Sequence, residues 1–119
     1  MDHDADATLY LVFSNPIEGK DDEFNEWYDT VHLPEVLATP GIKTAQRFSL
    51  RETQITHHSP MPKPAHGYLI VYEMEGDVDE VMGKIQAAAQ SGEMLMNDAL
   101  DLTSVSMSFW APLGPMLVK

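Results

Sequence analysis

Residues 15–48 read NPIEGKDDEFNEWYDTVHLPEVLATPGIKTAQRF, and this stretch decides the fold. Phe24, Trp27, Tyr28 and Val31 stand at i, i+3, i+4 and i+7, the spacing of an amphipathic helix. Asp21, Asp22 and Glu23 crowd its first turn, where the helix dipole favours negative charge. Pro34 disfavours αR at Leu33, so the regular helix, over 20–33, is expected to end or kink there. The PEVLATPG segment adds a further turn before Pro40-Gly41 stops it. His32 is thereby expected in the last turn, at the edge of the apolar stripe, where the dipole favours a charged imidazolium. Phe24 and Val31 read as core. Trp27 and Tyr28 carry polar handles that seek partners when buried. A lone His near a helix end is more often a cap or a surface group than a catalyst.

Upstream, TLYLVFS (8–14) alternates as a strand, with Leu9, Leu11 and Phe13 on one face and Thr8, Tyr10, Val12 and Ser14 on the other. Residues 1–7 read as a frayed acidic tail containing His3, and Asn15-Pro16 is a turn signal. Downstream, 42–52 reads as a second strand, with Ala45, Arg47, Ser49 and Arg51 on one face. An Arg in mid-strand is costly to bury alone. Arg47 therefore either pairs with one of the many carboxylates or anchors a substrate carboxylate or enolate oxygen through its planar fork. The Pro- and His-rich segment 53–66 (TQITHHSPMPKPAH) is expected to be an irregular loop, a lid or a surface excursion, with Pro60, Pro62 and Pro64 excluding a central strand. His57, His58 and His66 match no standard ligand spacing and the loop holds no carboxylate, so no metal is expected.

Residues 67–75 are apolar on both faces, as a central strand covered on both sides would be. Residues 77–91 form a second helix with a Val78, Val81, Met82, Ile85 stripe, and Gly92 suits its end. A short helical turn is expected in 93–100 and a fourth strand over 102–111. There Val105, Met107 and Phe109 alternate with Ser104, Ser106, Ser108 and Trp110. That serine face either lines a pocket with Trp110 or is simply exposed. Residues 112–119 are a tail able to cross to a partner subunit.

With 119 residues the chain is read as one domain, 1–119, large enough for a core without staples. Its 19 acidic against 7 basic residues give a net charge of −12. Nucleic acid and anionic membranes are disfavoured as partners, since both are bound by basic patches. A small neutral, apolar or aromatic substrate is favoured. No run of apolar residues is long enough to span a bilayer, and the acidic N-terminus lacks the pattern of a secretory signal. The absence of cysteine removes disulfides, thiol nucleophiles and thiolate metal sites, and fits a cytoplasmic location.

Asn15, Pro16, Gly19, Glu23, Phe24, Trp27, Tyr28, His32, Pro34, Pro40, Gly41, Arg47 and Phe48 together resemble the signature of the EthD-like group of dimeric α+β barrel proteins. Outside this stretch the chain agrees only in element order. The resemblance implies an α+β, ferredoxin-like βαββαβ subunit with an antiparallel four-stranded sheet. It also implies pairing with a second copy through that sheet, and a pocket between sheet and helices near the helix His. The activity does not follow, because relatives include cyclases, lactone isomerases and cofactor-free monooxygenases.

No Ser-His-Asp arrangement and no cysteine are present, so covalent acyl chemistry lacks support. The remaining set suits proton transfer next to a carbonyl. His32 would be the acid/base. Tyr28 or Tyr10 would donate to the developing enolate, and Asp29 would orient the imidazole. Phe24, Trp27, Arg47 and Trp110, with Tyr10, would bind a cyclic, aromatic or polyketide-like substrate. Three classes stand: a cofactor-free lyase, isomerase or cyclase; an oxygenase, cofactor-free or haem-linked; and a non-catalytic binding dimer.

Overall fold

The strand alternation settles into one antiparallel sheet. The computed structural model describes residues 7–94 and 96–119. Strands β1 (Thr8–Ser14), β2 (Ile42–Ser49), β3 (Tyr68–Met74) and β4 (Ser106–Trp110) pair in the order β2-β3-β1-β4. Between β1 and β2 lie α1 (Asp21–Trp27), a π-helical turn (Tyr28–His32) and α2 (Leu33–Leu37). The single turn α3 (Gln54–His58) precedes β3, and α4 (Val78–Ser91) joins β3 to β4. The protein has the βαββαβ order of the ferredoxin-like α+β fold.

Register sorts the two faces of the sheet. Tyr10 lies opposite Tyr72 and Val12 opposite Ile70, and all four are buried beneath the helices. Phe24, Trp27, Tyr28, Val36 and Val81 close over them to form the core. Burying each such side chain contributes about 1.5–3 kcal/mol. The alternate positions, Leu9, Leu11, Phe13, Leu69, Val71 and Trp110, lie on the other face, which no helix among the described residues covers. Asn15 knits three segments at the end of β1. Its Oδ1 accepts from the Gly67 amide at 2.7 Å, its Nδ2 donates to the Ala65 carbonyl at 3.0 Å, and its amide donates to Ser104 Oγ at 2.8 Å. Gly41, at φ 103°, leaves no room for a side chain, since a Cβ there would stand 2.5 Å from Val81 Cγ2.

Several sequence expectations are corrected. The first helix kinks rather than ends near Leu33, and the expected further turn is α2, which runs to Leu37. What was not expected is that the Tyr28–His32 turn before it widens to π geometry, with the Leu33 amide donating to the Tyr28 carbonyl. Pro34 lacks an amide donor, and its ring would press on the Thr30 carbonyl in an α-helix. The wide turn just before it relieves that clash. The 53–66 segment contains α3, which begins with a Thr53–Thr56 capping box. β2 stops at Ser49, and the expected start of the fourth strand is a 3-10 turn, Leu102–Ser104, capped by the Asp101 side chain. No helix forms over 96–100; Leu100 instead bridges to Pro16, and Leu95 lies outside the described residues. Of the expected acidic tail, 1–6 also lie outside the described residues, and Ala7 is buried. In α4 only Val81 is fully buried; Val78, Met82 and Ile85 are partly covered. No helix among the described residues is long and apolar enough to cross a membrane.

Candidate functional site

Between the helices and the covered sheet face lies a cavity of about 180 Å³. β1 and β3 supply Tyr10, Val12, Ile70 and Tyr72; the π-turn supplies Tyr28 and His32; Val36, Ile85, Met96, Leu100, Leu102, Val105 and Met107 complete the wall. Three phenols and one imidazole are therefore set in an otherwise apolar lining, and no lining residue carries a formal charge at neutral pH.

His32 is held by aromatic contact. Its ring stacks on Trp27 at 4.7 Å between centroids and meets Tyr28 edge-on at 5.4 Å. Its Nδ1 is buried and finds no hydrogen-bond partner among the described residues. Burial pushes the His32 pKa down to about 4, so the ring is neutral at pH 7. This reverses the sequence expectation of a last-turn imidazolium. The helix continues past His32, so no helix end stands there, and desolvation governs instead.

The tyrosines are kept as protonated donors. Burial, with a smaller contribution from Tyr28, pushes the Tyr10 hydroxyl up to about 12. The Tyr10 hydroxyl donates to Met107 Sδ at 3.1 Å. Burial also raises the Tyr28 pKa, opposed by a hydrogen bond from Ser14 and by the Arg47 charge. Tyr72 is raised chiefly by burial as well.

His32, Tyr28 and Tyr10 thus come together at one cavity, with Trp27 packed behind the imidazole. The other expected site residues lie elsewhere. Asp29 does not orient His32: its carboxylate is 61% exposed and accepts from Arg47 Nη1 at 3.0 Å. The π-turn carries the two side chains of residues 29 and 32 to different sides of the helix. Arg47 donates from Nη2 to Asn25 Oδ1 at 2.8 Å and borders a separate hollow of about 480 Å³. Phe24 is fully buried core against Tyr28 and Tyr68. Trp110 lies on the uncovered sheet face, where its Nε1 donates to Ser108 Oγ at 2.8 Å. Tyr72, which sequence reasoning placed only on a strand face, is a wall of the cavity. Its proximity to Tyr10 follows from the β1–β3 register.

The loop histidines assemble no metal site. His57 and His58 meet edge-to-face, and His66 Nε2 donates to the Ser104 carbonyl at 2.8 Å. No group of three or more metal-ligating side chains forms among the described residues.

The fold and the helix–sheet cavity define a small ferredoxin-like α+β protein. A solved structure of an ethyl tert-butyl ether D (EthD) family protein from Bacillus halodurans C-125 superposes with a TM-score of 0.58 at 17% identity, over 90% of this chain and 98% of that one. The Rv0793 structure from Mycobacterium tuberculosis matches with a TM-score of 0.46 at 18% identity, over 92% and 96%. The EthD family protein establishes the shared fold. No protein-family model and no curated protein matches the sequence.

Proposed function

We propose that the protein is a homodimeric, cofactor-free enzyme of the cytoplasm that moves a proton on a small neutral carbonyl compound, as an isomerase, lyase or cyclase. The observation that carries this reading is His32, a neutral imidazole lining an apolar cavity walled by three phenols, with its Nδ1 buried and without a hydrogen-bond partner among the described residues. A neutral imidazole in an apolar wall is able to take a proton and return it. The neutral imidazole takes a proton from the carbon next to the carbonyl. Tyr28 or Tyr10 donates a hydrogen bond to the enolate oxygen as charge develops. The imidazolium so formed is a strong acid in this dry site and returns the proton at another carbon, leaving His32 as it began.

Cavity size narrows the substrate. An apolar protein cavity of about 150 Å³ takes benzene, so 180 Å³ suits one ring better than a polycyclic polyketide. The absence of a charged lining residue favours a ketone, lactone or phenol over a carboxylate.

Dimerisation is supported by surface. Leu9, Phe48 and Trp110 stand exposed on the uncovered sheet face. A standard interface covers about 800 Å² per partner, and the uncovered apolar sheet face is the natural place for it.

The test is incubation with single-ring ketones, lactones and phenols under air and under nitrogen, followed by mass spectrometry. Oxygen-independent isomerisation or elimination is expected. Turnover that needs air would instead indicate an oxygenase, and ligand held unchanged would indicate a binding protein. With a substrate in hand, His32→Gln should lower kcat by about 10²–10⁴ while the fold persists. Full activity in that variant would remove His32 from the mechanism.

A further inference from the structure

The π-turn that carries Tyr28 and His32 is a rare geometry. Pro34 explains why the turn widens, but not how its rotation over the sheet is fixed. The sheet answers through Arg47. The two terminal nitrogens of Arg47 reach opposite sides of the α-to-π junction: Nη2 to Asn25 on α1 at 2.8 Å, and Nη1 to Asp29 on the π-turn at 3.0 Å. The guanidinium carbon also lies 5.0 Å from the centre of the Tyr28 ring, on the wall of the cavity, and 5.6 and 5.7 Å from Phe24 and Tyr68. Tyr68 in turn donates to Asp21 at 3.0 Å and receives the Asn25 amide at 3.5 Å. Asp21, Asn25 and Asp29, spaced by four, thus form a seam that ties the helix to β2 and β3.

We infer that Arg47 is a positioning residue, whose fork across the α-to-π junction sets where the Tyr28–His32 turn lies over the cavity. The inference rests on the reading of His32 and Tyr28 as the reacting groups. Its alternative, direct anchoring of a ligand carboxylate, is disfavoured by geometry. Each terminal nitrogen already holds one partner, Nε is buried without one among the described residues, the side chain is only 14% exposed, and Arg47 is not part of the wall of the His32 cavity. The planar fork is essential, because a lysine ammonium cannot hold two partners at these positions and face three rings at once.

The test compares wild type, Arg47→Lys and Asp29→Asn by amide exchange, imidazole NMR titration and melting temperature, none of which needs a substrate. The Leu33 amide, which donates to the Tyr28 carbonyl, should exchange about tenfold faster relative to the amides of β1 and β3. The His32 midpoint should rise by about one unit as the loosened turn admits water. Exchange that quickens uniformly with the loss of melting temperature, with the His32 midpoint unmoved, would make Arg47 a structural ion pair only. Asp29→Asn keeps the guanidinium in place, so it decides the matter if Arg47→Lys does not fold. Should these shifts appear while His32→Gln stays fully active, the positioning inference stands and the proposed chemistry falls.

Discussion

His32 carries a measurable signature of its burial. Its folded-state pKa of about 4 lies below the ordinary value of 6.5, so in that interval the unfolded chain binds a proton that the folded chain does not. Stability is therefore fully present above the unfolded pKa and is lost as pH falls toward the folded one. The loss should amount to roughly 2 kcal/mol, after discounting for the partial exposure of the ring. Urea denaturation of wild type and His32→Gln between pH 7 and pH 4 checks this. The difference between the two stability curves should narrow as pH falls, and parallel curves would show that the imidazole is not desolvated. The same pKa sets the activity profile. The acidic limb of kcat/KM belongs near pH 4, and a limb near neutrality would show that His32 is not the base.

At the scale of elements, the helix between β1 and β2 shows how one residue redirects several. Pro34 removes an amide and crowds the Thr30 carbonyl, so the preceding turn opens and the chain gains the wide geometry on which Tyr28 and His32 sit. Pro34→Ala restores the amide and permits an ordinary α-helix through residue 37. Stability should change by no more than about 1 kcal/mol, because a better helix offsets the lost rigidity of the unfolded chain. The Trp27–His32 ring stacking should break as the turn tightens, and turnover should fall. Ring-to-ring NMR contacts report this directly. If Trp27 and His32 remain stacked in the variant, then Arg47 and the core hold the π-turn without the proline.

For the whole molecule, the decisive feature is a single sheet with helices on one face and the other face uncovered among the described residues. Light scattering at micromolar concentration should give about twice the 13.3 kDa chain mass. A lysine in the middle of the uncovered face, Leu69→Lys, should return a monomer with unchanged circular dichroism, since it adds an unpaired charge to the interface without touching the core. A wild-type monomer would leave the sheet face to some other partner and overturn the dimer.

The sequence by itself determined the order of elements, the amphipathic first helix, the alternation of the strands and the end of the last helix at Gly92. These depend on contacts within a few residues, and periodicity records them. The His32–Tyr28 pairing was legible for the same reason, because both lie on one helix. What only the tertiary structure decided involves partners distant in the chain. The β1–β3 register brings Tyr72 to Tyr10, and β2 carries Arg47 to Asn25 and Asp29 rather than to the cavity. It also places Trp110 on the opposite face of the sheet from His32. The protonation of His32 belongs to the same class. Local sequence places a histidine near a proline, but the depth of apolar packing around it sets its charge. The π geometry of Tyr28–His32 was likewise hidden, because a local rule predicts the clash at Pro34 while the core and the sheet decide how the chain widens to pass it.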